Sequence, residues 1–544
     1  MDGSGQGALD HDAGTAVSRV QAAPTTFALL ATLGDDALAA ALGQPDYSYR
    51  FSLRLFAPVL ARIGEAVPAR DPAEAQAIHD EAAGRGRAGI VLAFMPPHQV
   101  PADLRCPVIP VFPWEFSTLP DEAWEGDARH DWRTVLGRAG RAIVQSSHTA
   151  GVVRAAMGAD YPVAAIPAPV WDRFAPIGVR TPARPLNPGT ALRCPGTVVD
   201  SLAPAPALDE LPAPVSPPPT AEIAPESAPE IAAEIGAEPG RRSGRERLSL
   251  TWRYAVGWYR DVVRDALPRP VAAGASRAGR LAYRGWSAVA ARPAEPAPPA
   301  PAAPEPPPPC PETELALSGI VYASVLNPAD GRKNWFDLVT AFCWALRDAP
   351  DATLVLKMVH TDRAAWHGRL ATLLAQLAPF RCRVVALDGY LDDAAYAALV
   401  AGTSYYANAS NAEGLCLPLM EFMAAGRPAI APCHTAMLDY VDSDCAFTVA
   451  SGIEHNVWPH DPRDLFRTLR HRIEWSSLRD AYAESYRVAK EEPGRYRAMG
   501  RAAGERIRAH ASEAVVEAKL RAFFAQMGLA AGDAPGRGPE SVSR

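Results

Sequence analysis

The sequence predicts two α/β domains with parallel sheets, joined by a long insertion rich in proline and alanine. Short apolar runs alternate with helical patterns over residues 25–176 and again over 316–475, and such alternation is typical of sheets built from β–α–β units. The length of 544 residues also exceeds what one compact core includes. We therefore expect two doubly wound domains that face each other across a cleft at the carboxyl ends of their strands.

In the first domain, apolar runs of β type predict strands, and the stretches between them show helical spacing. The predicted strands are 27–33, 89–94, 108–112, 142–145 and 163–166. The predicted helices are 73–84, 130–139 and 148–157.

The second domain shows the same alternation more clearly. Its predicted strands are 320–325, 353–359, 383–387, 405–409, 429–432 and 446–449. Its predicted helices are 335–348, 363–377, 393–401, 418–425 and 462–474. The following stretch, 476–530, is predicted to be helical with a break at Pro493.

The ranges outside the two domains differ in composition. Residues 1–24 are polar and glycine-rich, and we expect them and the tail 531–544 to be disordered. The insertion, 177–315, contains tracts dominated by proline and alanine. Such tracts cannot bury enough apolar surface to offset chain entropy, so we expect them to be extended or disordered.

Residues 241–292 form a basic stretch within this insertion. They include twelve arginines against three acidic residues, with an apolar stripe at helical spacing. One interpretation is an amphipathic helix that lies on an anionic membrane surface. The other is a helix that docks on the protein's own domains. The pattern does not say what covers the apolar face.

Composition excludes several classes of function. A net charge of −7 gives no basic surface for nucleic acid. The eight cysteines show no metal-ligand spacing, and a reducing compartment is the simplest setting for them. We expect no metal and no cofactor. No segment has the features of an export signal or the roughly 20 apolar residues of a membrane span. We expect a cytoplasmic protein, with 241–292 as the candidate for peripheral contact with the inner face of a membrane.

The most informative motif lies in residues 408–430, NASNAEGLCLPLMEFMAAGRPAI in one-letter code. A strand is followed by a loop with Glu413, then by a short helix that starts near Pro418 and ends at Gly426. The free N–H groups of such a helix suit a pyrophosphate. Glu421 could accept hydrogen bonds from a vicinal diol such as ribose. The alternative is a pair of glutamates that only favour a helix N-terminus.

These residues resemble glycosyltransferase family 4, whose members have two facing Rossmann-like domains (the GT-B architecture) and a Glu, seven residues, Glu motif in the second domain. The matching residues are Ser410, Glu413, Gly414, Pro418, Glu421, Met423, Ala424, Gly426 and Pro428. The resemblance implies that Glu421 holds the donor ribose and Glu413 contacts the transferred sugar. It also implies retention at the anomeric carbon, and C-terminal helices that cross back to brace the acceptor-binding first domain.

A second match covers residues 321–335, where the family commonly places a basic pair that neutralises the leaving diphosphate. Arg332 and Lys333 fit this pair, and adjacent cations suit developing phosphate charge. The usual arginine just after the strand is absent, with Asn327 standing at the strand end, and Lys357 is a candidate substitute. The alternatives are a solvated loop for the pair and a snorkelling strand residue for Lys357.

The first domain offers candidates only at its strand ends. His98 and Glu115 each follow a predicted strand, at the rim that faces the cleft. Either side chain could orient an acceptor hydroxyl or polarise the donor phosphate. A structural role is the alternative for both, as it is for Trp114 and His148.

The sequence therefore predicts a hexosyltransferase-type enzyme that moves a sugar from a nucleoside diphosphate sugar to a glycan or lipid-linked acceptor, as in polysaccharide biosynthesis. The alternative is an inactive binding or scaffold protein with the same fold. Candidate catalytic residues are Glu413, Lys333, Arg332, His98 and Glu115. Candidate donor-binding residues are Asn327, Arg332, Lys333, Lys357, Gly414, Leu415, Leu417 and Glu421.

Overall fold

The computed structural model describes residues 25–32, 47–124, 126–196, 198–203, 312–360 and 363–528. All of them belong to one compact unit by their contacts. The basic stretch 241–292 and the segments 1–24 and 531–544 lie outside the described residues, so what the sequence predicts for them stays a prediction.

The first sheet has six parallel strands in the order β2-β1-β3-β4-β5-β6. Every residue of strand β1, next to the edge strand β2, is buried, because helices cover both faces of a parallel sheet. The strands are β1 Thr25–Ala31, β2 Glu65–Ala69, β3 Ala88–Phe94, β4 Val108–Phe112, β5 Ala142–Val144 and β6 Val163–Ala165. The helices are α1 Tyr47–Ile63, α2 Pro72–Gly84, α3 Trp132–Ala139, α4 Ser147–Met157 and α5 Trp171–Arg180.

The second sheet has eight strands, in the order β14-β13-β12-β9-β10-β11-β8, with β7 paired to β9. The strands are β7 Asn187–Pro195, β8 Val198–Asp200, β9 Glu312–Leu326, β10 Ala352–Met358, β11 Arg383–Leu387, β12 Tyr405–Ala407, β13 Ala429–Pro432 and β14 Ala446–Val449. The helices are α6 Trp335–Ala345, α7 Arg363–Leu377, α8 Asp393–Gly402 and α9 Leu417–Ala424. The predicted fold class, two α/β domains with parallel sheets, is confirmed.

The predicted insertion begins too early. Residues from β7 and β8 belong to the second sheet, where β7 pairs antiparallel with the start of β9 and β8 pairs antiparallel with β11. Leu192 and Cys194 are fully buried, and Arg383 donates to Asp200 at 2.6 Å. Periodicity missed these strands because β7 contains Pro188 and ends at Pro195, β8 has only three residues, and both pair with partners far away in sequence.

The predicted helix at 462–474 is wrong. The chain forms a two-stranded antiparallel hairpin there, β15 Ser451–Val457 and β16 Phe466–Ile473. Apolar residues at 466, 469 and 473 imitate the spacing of a helix, yet Phe466 is 75% exposed. The sequence prediction also lacks three elements of the first domain, α1, β2 and α5.

The C-terminal helices return to the first domain, as the resemblance implies. They are α10 Trp475–Glu491, α11 Pro493–Ala511 and α12 Glu513–Gln526. Phe524 packs on Phe27 of β1 with ring centroids 4.9 Å apart, and Glu513 forms an ion pair with Arg62 of α1. Among the described residues, no helix is both long enough and apolar enough to span a bilayer.

Candidate active site

The site forms where loops from the two sheets meet. The loop after β9 contains a 3-10 turn, Gly331–Lys333, in which the Asp330 side chain accepts a hydrogen bond from the Arg332 amide at 3.3 Å. The Asn411 amide, in the loop after β12, donates to the Arg332 carbonyl oxygen at 2.7 Å. Backbone contacts therefore fix the basic pair against the loop that includes Glu413.

Glu413 lies buried between the two cations. Lys333 Nζ donates to Oε1 at 2.6 Å, and Arg332 Nη1 donates to Oε2 at 3.0 Å. The amide of Glu413 donates to Thr435 Oγ1 at 3.0 Å, and the residue is 2% exposed. The carboxylate has a fixed position, since side-chain and backbone contacts both hold it.

Arg332 also links the two domains. Its Nε lies 3.0 Å from Oε1 of Glu115, which follows β4 of the first domain, and 3.0 Å from Oδ2 of Asp330. Two cations, Arg332 and Lys333, thus face three carboxylates, those of Glu115, Asp330 and Glu413. The structure brings four of the predicted residues, Arg332, Lys333, Glu413 and Glu115, into one partly buried charge cluster.

The pKa values of Glu413 and Glu115 shift in opposite directions. Burial would raise the pKa of Glu413, but Lys333 and Arg332 outweigh burial and lower the pKa to about 2. Burial raises the pKa of Glu115 above its ordinary value, although Arg332 acts in the opposite direction. Glu413 is therefore a permanent anion at neutral pH, while Glu115 holds a proton more readily.

Helix α9 begins directly after this cluster. Cys416 precedes it with a left-handed backbone, φ 62° and ψ 61°, and no side chain caps its first turn. Leu415 is buried and its carbonyl oxygen accepts from Tyr440, whereas Leu417 is half-buried at the first helical position. Gly426, with φ 76°, ends the helix as predicted. The uncapped N–H groups of α9 suit an anion.

Glu421 lies on α9, five positions into the helix. The Tyr396 hydroxyl, from α8, donates to its Oε2 at 2.5 Å. Burial raises the pKa of Glu421 to about 7, while Tyr396 and Arg173 act in the opposite direction. Glu421 therefore changes its charge near neutral pH, unlike Glu413.

Lys357 and Asn327 lie at the carboxyl ends of neighbouring strands. Lys357 of β10 pairs in register with Val325 of β9, is 4% exposed, and donates from Nζ to the Met358 carbonyl oxygen at 3.0 Å. Asn327 accepts the Ala329 amide at 3.0 Å through its side chain. This contact makes Asn327 a turn residue that shapes the approach to Arg332.

Gly414 has a packing role in the structure. A Cβ at this position would lie 2.7 Å from Pro113 Cβ and 3.0 Å from the Trp114 amide nitrogen. Only glycine permits the loop of the second domain to approach that of the first domain so closely.

His98 lies in a separate aromatic cluster. Its ring stacks on Trp132 at 5.8 Å and contacts His460 at 4.9 Å and His130 at 6.2 Å between centroids. Burial lowers its pKa to about 3, helped by His460 and His130. The structure therefore groups His98 with domain-packing side chains and not with Arg332 and Glu413.

Sequence reasoning missed several neighbours of the site. His434 stacks on His471 at 4.3 Å, and Thr435 holds the Glu413 amide. His434 and Thr435 follow β13, so the rule that sites form at carboxyl ends of strands could have found them. His471 and Tyr396 lie on elements with no site motif, and His471 falls within the wrongly predicted helix.

No protein-family model matches the sequence, and no curated protein matches it significantly. Similar solved structures include a sucrose-phosphate synthase from Thermosynechococcus elongatus, with 12% identity, 93% of this chain and 99% of that chain covered, and a TM-score of 0.45. Anabaena HepE in complex with UDP has 10% identity, coverage of 92% and 100%, and a TM-score of 0.45. A glycosyltransferase from Rickettsia africae has 8% identity, coverage of 93% and 99%, and a TM-score of 0.44. With TM-scores below 0.5, these similarities do not establish a function for this chain.

The ion pairs of Glu413 predict a specific dependence of stability on pH. Its pKa falls from 4.5 to about 2 on folding, so its contribution is present above pH 4.5 and is lost as the pH falls toward the folded pKa. Urea unfolding of wild type should show a loss on the order of 2 kcal/mol from this group between about pH 7 and about pH 3, since the remainder is lost only below about pH 3. Glu413→Gln should flatten the curve in that window.

Glu454→Gln is the matched control, because Glu454 forms an ion pair with Arg470 on the hairpin with both side chains 30% exposed. Such a pair contributes less than about 1 kcal/mol. Equal pH slopes for Glu413→Gln and wild type would contradict the assignment.

Proposed function

We propose that this protein is a glycosyltransferase that transfers a sugar from a nucleoside diphosphate sugar. The observation that carries the proposal is the contact of Arg332 and Lys333 with the buried carboxylate of Glu413. Glu413 lies directly before the uncapped N-terminus of α9. A second carboxylate, Glu421, lies further along the same helix. Cations, helix dipole and diol acceptor together suit the three parts of such a donor: diphosphate, sugar and ribose.

The diphosphate would replace the carboxylates that contact Arg332 and Lys333 in this structure. Arg332 and Lys333 contact carboxylate oxygens at 2.6 to 3.0 Å, and phosphate oxygens accept hydrogen bonds from the same donors. The negative charge of the diphosphate grows as the bond from the anomeric carbon to its oxygen breaks. Arg332, Lys333 and the α9 N-terminus would stabilise that charge, without a metal ion among the proposed groups.

Glu413 would then contact the sugar. It stays ionised, since its pKa is about 2, and a carboxylate both accepts hydrogen bonds from sugar hydroxyls and stabilises an oxocarbenium-like carbon. The acceptor oxygen forms the new bond to the anomeric carbon, and its proton passes to an oxygen of the departing diphosphate. Glu115, beside Arg332, is placed to orient the acceptor hydroxyl. Retention of configuration is part of the proposal by resemblance.

The finer assignments rest on the resemblance to glycosyltransferase family 4. They are a hexosyl donor, a glycan or lipid-linked acceptor, and a cytoplasmic enzyme with peripheral membrane contact through 241–292. One observation favours the alternative, a scaffold protein without turnover. Asn327 stands after the strand where the family usually has an arginine. Its side chain accepts a hydrogen bond within a local turn, and an amide does not supply the positive charge of an arginine to a phosphate.

Nucleoside diphosphates test the proposal directly. A thermal-shift screen with UDP, GDP, ADP, TDP and CDP should find at least one that raises the Tm of wild type, because binding to the folded state stabilises it by about 2.7 kcal/mol at 100 Kd. Lys333→Met and Glu421→Gln should each abolish most of that shift. Lys490→Met, on α10, removes an ion pair with Asp351 far from the site and should keep the shift.

A protein that responds to none of the five nucleotides, or whose two site variants respond as wild type does, would favour the scaffold alternative. If one nucleotide does bind, transfer or hydrolysis of the nucleotide sugar that contains it would exclude the scaffold alternative.

The hydrogen bond from Tyr396 to Glu421 should affect how nucleotide affinity depends on pH. The ionised form of Glu421 accepts the ribose hydroxyls, and its pKa is about 7, so affinity should rise between about pH 6 and about pH 8. Tyr396→Phe removes a hydrogen bond to the ionised form, which is worth roughly 1.5 kcal/mol or more. The midpoint of the affinity profile should therefore move up by about one pH unit.

Calorimetric titrations across this range measure the profile, with Tyr390→Phe as the matched control outside α8. A uniform loss of affinity with an unchanged midpoint would show that Tyr396 acts only through packing.

A further inference from the structure

A cavity in the first domain lies at the sheet edge opposite to the candidate active site. Its volume is about 430 Å³, and its walls include the residues at which β3 and β4 begin and the residue that precedes β5. Glu115, which contacts Arg332, instead follows the carboxyl end of β4. The seven residues of β3 separate the two edges by roughly 20 Å at about 3.3 Å per residue.

The walls of the cavity combine apolar surface with arginine. Ile90, Ile109 and Met527 are among the apolar residues, and Met527 comes from the turn that follows α12. Arg87, Arg138 and Arg141 are also part of the lining, and none of the described residues that line the cavity is Asp or Glu. Its volume lies within the range of about 300 to 1,000 Å³ that is usual for small-molecule sites.

The arginines differ in how much of their charge is already neutralised. Arg87 lies 3.6 Å from a carboxylate oxygen of Glu65 and donates to Thr26 Oγ1 at 3.0 Å. Arg138 donates only to the carbonyl oxygens of Pro101 and Ala102, at 3.1 and 3.2 Å, so its orientation is fixed and its charge is retained. Arg141 makes no hydrogen bond or ion pair with any residue in the described part of the chain.

We propose that this cavity binds an organic phosphate with an apolar body, such as an aryl or alkyl monophosphate. Arg138 and Arg141 would hold the phosphate through charge-assisted hydrogen bonds. The apolar body would lie against Ile90, Ile109 and Met527, where it loses contact with water. This site is separate from the proposed donor site and does not depend on the proposed function.

The cavity also lies where the C-terminal helix α12 docks on the first domain. Met527 ends the path by which α12 returns to the first domain, and Phe524 on that helix packs against β1. A ligand that contacts Met527 would therefore strengthen the docking of α12 by mass action on the folded state.

Fluorescence titration of the full chain with 1-naphthyl phosphate tests the proposal, with inorganic phosphate and 1-naphthol as comparison ligands. We expect saturable binding of 1-naphthyl phosphate at one site and at least about tenfold weaker binding of each comparison ligand, a factor that equals 1.4 kcal/mol. Equal binding of inorganic phosphate would contradict the apolar part of the proposal. Equal binding of 1-naphthol would contradict the role of the arginines.

Two variants and one control locate the site. Arg141→Gln and Arg138→Gln should each weaken binding of 1-naphthyl phosphate about tenfold. Arg133→Gln, on the same helix as Arg138 but paired with Asp131, should not. Lys333→Met should also leave the affinity unchanged. Absence of binding, or loss of binding only in Lys333→Met, would overturn the proposal.

Discussion

The buried contact of Lys333 and Arg332 with Glu413 determines how the rest of the site is arranged. An ionised carboxylate that is 2% exposed is stable only with partners, since the cost of removing a charge from water reaches several kcal/mol. Arg332 satisfies this requirement and at the same time reaches Glu115 of the first domain at 3.0 Å. A single guanidinium therefore links the position of the loop that includes Glu413 to the position of the first domain.

Other contacts of the same junction depend on that close approach. Gly414 permits the Pro113 loop to pack without a gap, Ser147 donates its amide to Asp439 at 2.8 Å, and Trp458 of the second domain donates to Thr118 at 3.1 Å. These contacts are polar and neutral or partly exposed, so none alone has the energetic weight of an unpaired buried charge. Replacement of a carboxylate by a charged ligand would consequently alter the junction between the domains most at this ion cluster.

The sequence predicts the architecture well, and several of the side chains that it proposes for the site lie together in the structure. Alternating apolar runs are local, so most strands of both sheets and the boundaries of α9, between Pro418 and Gly426, could be found from spacing alone. Arg332, Lys333 and Glu413 were also predicted as site residues, and the structure brings them together. Strands β7 and β8 and the hairpin of β16 could not be found, because their pairing is non-local and their apolar spacing imitates other elements. His98 was assigned to the site from its place after a strand, but its ring contacts are with Trp132 and His460, which no local pattern encodes.

The central claim is that the diphosphate of a sugar donor replaces Glu413 on Lys333 and Arg332. Calorimetric titration of Glu413→Gln with the nucleoside diphosphate that binds wild type tests this claim most directly. If the carboxylate competes with the diphosphate for the two cations, the variant should bind the nucleotide about tenfold more tightly, or ~1.4 kcal/mol, while transfer of the sugar falls. Weaker binding by the variant would contradict the claim and would show that Glu413 only holds the cations in place.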